Sequence, residues 1–133
     1  MTRLAPSELL RPGWCEEIIV PGVSSDLPGI YEWHIEGIGC YIGQYTHAQR
    51  PRNEYRLNIE RILCQRPYRL GKPEGFRLIH VELARAAQSR QKITLTLLEN
   101  HVIKADRNRR ERELIAERRA DATITGLRVL NSG

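Results

Sequence analysis

Two tripeptides, Gly29-Ile30-Tyr31 and Tyr41-Ile42-Gly43, bracket the stretch Glu32-Trp33-His34-Ile35-Glu36-Gly37-Ile38-Gly39-Cys40. The whole reads as strand, tight turn, strand. Residues i and i+2 of a strand share a face, so Tyr31, Trp33 and Ile35 lie together on the first strand, and Tyr41, Gly43 and Tyr45 on the second. The turn decides whether the two sets face the same way. An odd-numbered loop, such as Glu36-Gly37-Ile38 or Gly37-Ile38-Gly39, puts both phenols on one face. Three-residue hairpin loops favour a glycine at positive φ, and Gly37 and Gly39 are candidates. Gly43 opens a gap in the side-chain carpet beside Tyr41, where a ligand's backbone can approach. An aromatic strand face is ordinarily core. The paired tripeptides set this one apart.

With 133 residues, the chain has room for one domain with a real core. No apolar run approaches the roughly 18 residues of a membrane span, and Met1-Thr2-Arg3-Leu4-Ala5-Pro6 lacks a signal-peptide core. The expectation is a cytoplasmic protein with no membrane partner. Cys15, Cys40 and Cys64 are odd in number and lack metal-ligand spacing, so they are expected to be reduced and mostly buried. A net charge of +5 points towards nucleic acid. Its distribution says more than its total. Arg107, Arg109, Arg110, Arg112, Arg118 and Arg119 crowd one segment, and Arg50, Arg52, Arg56, Arg61, Arg66 and Arg69 another. Arginine suits bidentate phosphate contact. The competing reading is a solvated helix face laced with Glu–Arg pairs.

Residues 1–28 read as an arm rich in proline and glycine, with one strand-like run, Glu17-Ile18-Ile19-Val20. The hairpin follows at about 29–46. Pro51 then suits the first position of a helix whose apolar stripe is Tyr55, Ile59, Ile62 and Leu63, and which stops near Arg66 before Pro67. A loop is predicted over 68–75, a second helix over 76–89 and a third strand over 92–98. A charged third helix spans about 105–120, docked by Leu114 and Ile115. Gly126-Leu127-Arg128-Val129-Leu130 is a strand-like tail. The expected fold is α/β (α+β): a three-stranded antiparallel sheet flanked by helices, in the order strand, strand, helix, helix, strand, helix.

The hairpin resembles the signature of the GIY-YIG nuclease superfamily, and the element order from about 29 onwards is similar to that of its domain. The resemblance implies an N-terminal arm (1–28) and a nuclease domain (29–133). It implies an endonuclease, a hydrolase of DNA phosphodiester bonds dependent on Mg²⁺ or Mn²⁺, in which a tyrosine acts on the attacking water and one glutamate binds the metal. Tyr31 and Tyr41 carry over directly, and Tyr55 falls fourteen residues after Tyr41. A free phenol titrates near 10, so Tyr31 would need a metal or arginine nearby to act as a base. The position of the family's phosphate-holding arginine is Pro51 here, leaving Arg50, the preferred choice, and Arg52 on either side. For the metal, Glu111 on the third helix keeps the family's spacing, with Leu114 and Ile115 following. Glu113 and Glu99 are reserves, Glu99 because Leu97-Leu98-Glu99 imitates the repair enzymes' motif. Asn131 is the candidate for a late bracing asparagine, although it lies farther from Glu111 than the family pattern places it.

Nucleic-acid contact is expected from Arg52, Arg56, Arg109 and Arg112, by phosphate and not by base. The partner implied is duplex or branched DNA, with target choice left to a homodimer or a separate targeting subunit. Two rivals remain: a nucleic-acid-binding module that has lost turnover, and a protein-interaction domain whose tyrosines only pack. Of the histidines, His34 and His47 read as local hydrogen-bonders, and His80 and His101 have no helpful neighbours.

Overall fold

A computed structural model describes residues 5–68 and 75–131. Most of the loop predicted over 68–75, with Arg69, lies outside the described residues. The elements run α1 (Pro6–Leu9), β1 (Glu16–Ile19), β2 (Gly29–Ile35), β3 (Gly39–Tyr45), a π-helical turn (Arg50–Glu54), α2 (Tyr55–Leu63), α3 (Leu78–Ser89), β4 (Ile93–Asn100), α4 (Lys104–Thr125) and β5 (Arg128–Val129). The class is α+β.

The sheet is not the expected three-stranded antiparallel one. It has five strands in the order β1-β4-β2-β3-β5 and is mixed. The middle strands pair antiparallel, Tyr31 opposite Gly43 and Trp33 opposite Tyr41 on one side, and Trp33 opposite Leu95 on the other. The two strand-like runs beyond the hairpin supply the difference. β1 adds parallel to β4, and β5 adds parallel to β3 at Gly39 and Cys40. Parallel pairing between segments so distant in sequence leaves no local turn signal.

The hairpin closes over Glu36-Gly37-Ile38: Ile35 faces Gly39, the Ile38 N–H donates to the Ile35 carbonyl at 3.0 Å, and Gly37 takes φ 77°. An odd loop therefore sets Tyr31, Trp33, Tyr41, Gly43 and Tyr45 on one face. That face meets α2 and α3 in the main core, with Tyr55, Ile59, Ile79 and Leu83. Ile30 and Ile42, on the other face, pack on Leu114 of α4. Residues preceding the hairpin join the main core: Leu10 is fully buried, Trp14 lies 5.7 Å from Trp33, and the Arg56 Nε donates to the Leu10 carbonyl at 3.0 Å.

Pro51 does not open a regular α-helix; it is buried inside the π-helical turn, and α2 ends at Leu63, where Gln65 adopts a left-handed φ of 57°. The cysteines are free but only partly buried, contrary to the expected burial. Among the described residues no helix is long and apolar enough to cross a membrane.

Candidate functional site

Gly29 faces Tyr45 across the hairpin, and Gly43 faces Tyr31. A Cβ on Gly43 would come within 2.3 Å of the Tyr31 ring, and one on Gly29 within 2.7 Å of the Tyr45 hydroxyl. Each motif glycine is thus the floor under an opposing tyrosine. The gap expected beside Tyr41 for a ligand is filled by the Tyr31 ring.

That ring is 1% exposed, and its hydroxyl lies 2.6 Å from the hydroxyl of Tyr55, which rises from the first turn of α2. Tyr41 completes the cluster, its ring 6.4 Å from those of both Tyr31 and Tyr55. Unlike them it is partly exposed, and its hydroxyl accepts a hydrogen bond from an Arg77 Nη1 at 3.2 Å. Burial raises the pKa of Tyr31 and of Tyr55 above the ordinary phenol value; at Tyr31 the Arg50 and Arg77 charges only partly offset it. In this geometry both are neutral phenols that give and receive hydrogen bonds, and neither is a ready base.

Arg50 and Arg52, adjacent but for Pro51, go opposite ways. Arg50, half-exposed and 3.9 Å from Glu54, lines a cavity of about 50 Å³ with Tyr55, Asn58, Arg77 and His80. Arg52 turns to β1, where its Nε lies 2.5 Å from Glu17. Arg56 is spent on the Leu10 carbonyl.

The three glutamates also part. Glu111 is half-buried, not mostly exposed as a charged helix would suggest, and does not line the small cavity. Burial raises its pKa; a hydrogen bond from Gln44 of β3 and the charges of Arg112, Arg77 and Arg107 work against that rise. Glu99 is clasped by Arg110 at 3.0 and 3.1 Å and touched by His101 at 2.8 Å, and Arg110 holds its pKa below the usual carboxylate value. Glu113 pairs with Arg109 at 3.6 Å and Arg110 at 3.7 Å. Glu99 and Glu113 therefore belong to one ion network, while Glu111 points at the hairpin.

Asn131 occupies the open edge of β3 just beyond β5. Its Oδ1 accepts the Ile42 N–H at 2.9 Å and its Nδ2 donates to the Ile42 carbonyl at 2.7 Å. The side-chain amide thereby continues the strand pairing through the middle residue of the second tripeptide.

Several residues escaped the reading of the sequence. Arg77 precedes α3, and its main-chain N–H donates to His80 Nδ1 at 3.0 Å. His80, far from lacking neighbours, is buried with its ring 5.0 Å from that of Tyr55, and burial, with Arg77 and Arg50 beside it, pulls its pKa down to about 4. Gln44 is gripped from α4, bonded to Asn108 at 2.8 Å and to the buried Arg107 at 3.0 Å, and it neighbours Glu111. The His80 ring caps the first turn of α3 from within, a role that an Arg-x-x-His sequence does not announce.

Among the described residues no three His, Cys, Asp or Glu side chains cluster to hold a metal ion. No protein-family model, curated protein or solved structure matches the chain. What the site can do rests on its own groups: a phenol triad, two cations beside it, and one carboxylate within electrostatic range of Arg77.

Proposed function

We propose that this chain is a divalent-metal-dependent endonuclease hydrolysing DNA phosphodiester bonds, of the GIY-YIG kind that its hairpin resembles. The observation that carries the reading is the meeting of Tyr31, Tyr41 and Tyr55 with Arg50 and Arg77, with Glu111 in electrostatic range of the same Arg77. Phosphodiester hydrolysis joins a water oxygen to phosphorus while the opposite P–O bond breaks. The water gives up a proton and the leaving oxygen gains one. The transition state concentrates negative charge on the phosphoryl oxygens, so guanidinium groups aimed there lower the barrier.

Tyr41, the exposed phenol, and Arg77 on its hydroxyl stand where a phosphate can be met from solvent. Tyr31 and Tyr55 form a hydrogen-bonded pair behind it that fixes the orientation of Tyr41 and can hold the attacking water. Glu111 is the residue that would hold Mg²⁺ or Mn²⁺. A half-buried carboxylate whose charge is poorly solvated gains from a cation beside it, and a single protein ligand suits an ion that keeps most of its waters. When bound, the ion supplies charge neutralisation at the phosphate. Asn131 keeps the β3 edge straight behind Tyr41. The work is placed in the cytoplasm, with target choice supplied by a second copy or a targeting subunit.

A second reading, a nucleic-acid-binding module without turnover, is favoured by the burial of Tyr31 and Tyr55 and the raised pKa of both. A plasmid-nicking assay with Mg²⁺ or Mn²⁺, run beside Glu111→Ala and with salt-dependent binding of duplex DNA, separates the two. Metal-dependent nicking abolished in the variant supports the nuclease. Binding without nicking supports the module. Neither binding nor nicking leaves a protein-interaction domain.

A further inference from the structure

Arg77 stands outside both tripeptides and outside the arginine pair that flanks Pro51, yet its guanidinium is hydrogen-bonded to a motif tyrosine and lines the small cavity. Its guanidinium donates to the Tyr41 hydroxyl, a neutral acceptor that occupies one of its five N–H donors. Among the described residues no carboxylate lies within ion-pair distance of it, whereas Arg50, Arg52, Arg109, Arg110 and Arg118 each have one. Two separate groups feel its charge: Tyr31, which Arg50 also influences, and Glu111, which Arg112 and Arg107 also influence. Arg77 is common to both.

Its backbone is fixed to match. The Arg77 N–H is held by His80 Nδ1, and the His80 ring lies on Tyr55, so the residue that carries the guanidinium is keyed to the cluster it serves. With Nδ1 accepting, the neutral imidazole carries its proton on Nε2, the nitrogen that faces the Asn58 amide at 3.5 Å. A planar fork anchored by one donor to a phenol, and without a paired carboxylate among the described residues, is suited to the paired oxygens of a phosphate.

We propose that Arg77 is a substrate-binding residue that grips the non-bridging oxygens of the scissile phosphodiester while staying bonded to Tyr41. The proposal rests on the nuclease reading for the word scissile, but not for phosphate binding. It is tested by titrating the full chain, in EDTA, with a short DNA duplex and separately with inorganic phosphate. The readout is the NMR resonance of the Arg77 Nε–H, with affinities for the parent, Arg77→Ala, Arg77→Lys and Arg50→Ala. Turnover is then measured with Mg²⁺ or Mn²⁺. The expected result is a shifted Arg77 Nε–H, duplex affinity about tenfold weaker in Arg77→Ala, and turnover at least a hundredfold lower. Arg77→Lys should recover affinity but little turnover, because an ammonium lacks the planar pair of donors that meets two phosphate oxygens side by side. If Arg77→Ala unfolds, Arg77→Lys and the parent resonance decide alone. An unmoved Arg77 resonance, with both variants binding and cleaving as the parent does, overturns the proposal. A parent that cleaves nothing defeats the nuclease reading; the resonance then still decides whether Arg77 holds phosphate.

Discussion

The two faces of the sheet are built on different physics. The face under α2 and α3 is aromatic: five rings, from Trp33, Tyr31, Tyr41, Tyr55 and His80, follow one another edge to face or tilted, with centroids 5.0 to 6.4 Å apart. The face under α4 has a small apolar patch, Ile30, Ile42 and Leu114, ringed by charge: Arg118 on Glu32 at 2.6 Å, Arg110 on Glu99, Arg107 on Gln44. An aromatic face stores its precision in packing, where a shift of one ring moves the next. A charged face stores it in paired groups that tolerate small shifts and respond to salt. The candidate site lies at the β3 edge, where Arg77 draws on both. Substitutions on the two faces should therefore differ in kind.

The largest effect is expected at Gly43→Ala. The new methyl would sit 2.3 Å from the Tyr31 ring, so the ring must leave its place over the glycine. Overpacking of this sort costs about 3 kcal/mol, and the whole ring sequence should lose its order. Urea unfolding measures the first; near-ultraviolet circular dichroism, which senses packed tyrosines, measures the second. A loss under 1 kcal/mol with an unchanged spectrum would show that the aromatic face is softer than described.

Next come two substitutions that should behave alike in turnover and unlike in stability. Tyr31→Phe and Glu111→Ala should each reduce turnover about a hundredfold or more, near 2.7 kcal/mol in the barrier. Tyr31→Phe removes a buried hydroxyl from Tyr55 and should cost about 1 kcal/mol of stability. Glu111→Ala should cost little or even stabilise at neutral pH, since burial raises the carboxyl's pKa and thereby disfavours its charged form. Single-turnover cleavage and thermal melts of both proteins test the pair. Parental cleavage by Tyr31→Phe would reduce Tyr31 to packing.

How far the sequence reached follows the same division. The hairpin was legible because its information is local: period-two alternation, a glycine able to take positive φ, and an odd loop. So were β4 and the long α4, each from its own run of residue types. The parallel edges were not, because Glu16–Ile19 and Arg128–Val129 become strands only by meeting β4 and β3. At the site, Tyr31, Tyr41 and Tyr55 were legible from spacing, while the choice between Arg50 and Arg52 depended on Glu17, a residue 35 positions away from Arg52. Arg77 and His80 come from the mouth of α3, and nothing in their neighbours announces Tyr41 or Tyr55. Glu111 could be named but not its half-burial or its neighbour Gln44, which comes from β3, 67 positions away in the chain.

A third effect belongs to the aromatic face alone. His80 titrates near 6.5 when unfolded and is held down to about 4 in the fold, by burial first and by Arg77 and Arg50 after it. Between those values the unfolded chain binds more protons, so stability rises with pH. The contribution is complete above 6.5 and is lost as pH falls towards 4. His80→Gln, which can still accept the Arg77 N–H, should shrink the stability difference between pH 7 and pH 4.5 by on the order of 2 kcal/mol. Urea melts at the two pH values measure it. An unchanged difference would mean that His80 titrates in the fold as it does in the unfolded chain.

The smallest effect belongs to the charged face and concerns its outer surface. Arg109 is already engaged by Asp106 at 3.4 Å and Glu113 at 3.6 Å, whereas Arg112, also exposed, has no ion-pair partner among the described residues. A phosphate must displace carboxylates to reach Arg109 but not to reach Arg112. If duplex DNA lies along α4, its affinity should fall steeply with salt as condensed cations are released. Arg112→Ala should then lower the slope of log affinity against log salt by about one, and Arg109→Ala by clearly less. Neither should alter preference between sequences, because phosphate contacts carry none. Equal changes from the two would mean that the Arg109 pairs dissolve on binding. A slope unaffected by either would move the DNA off α4, towards the edge where Arg50 and Arg77 stand.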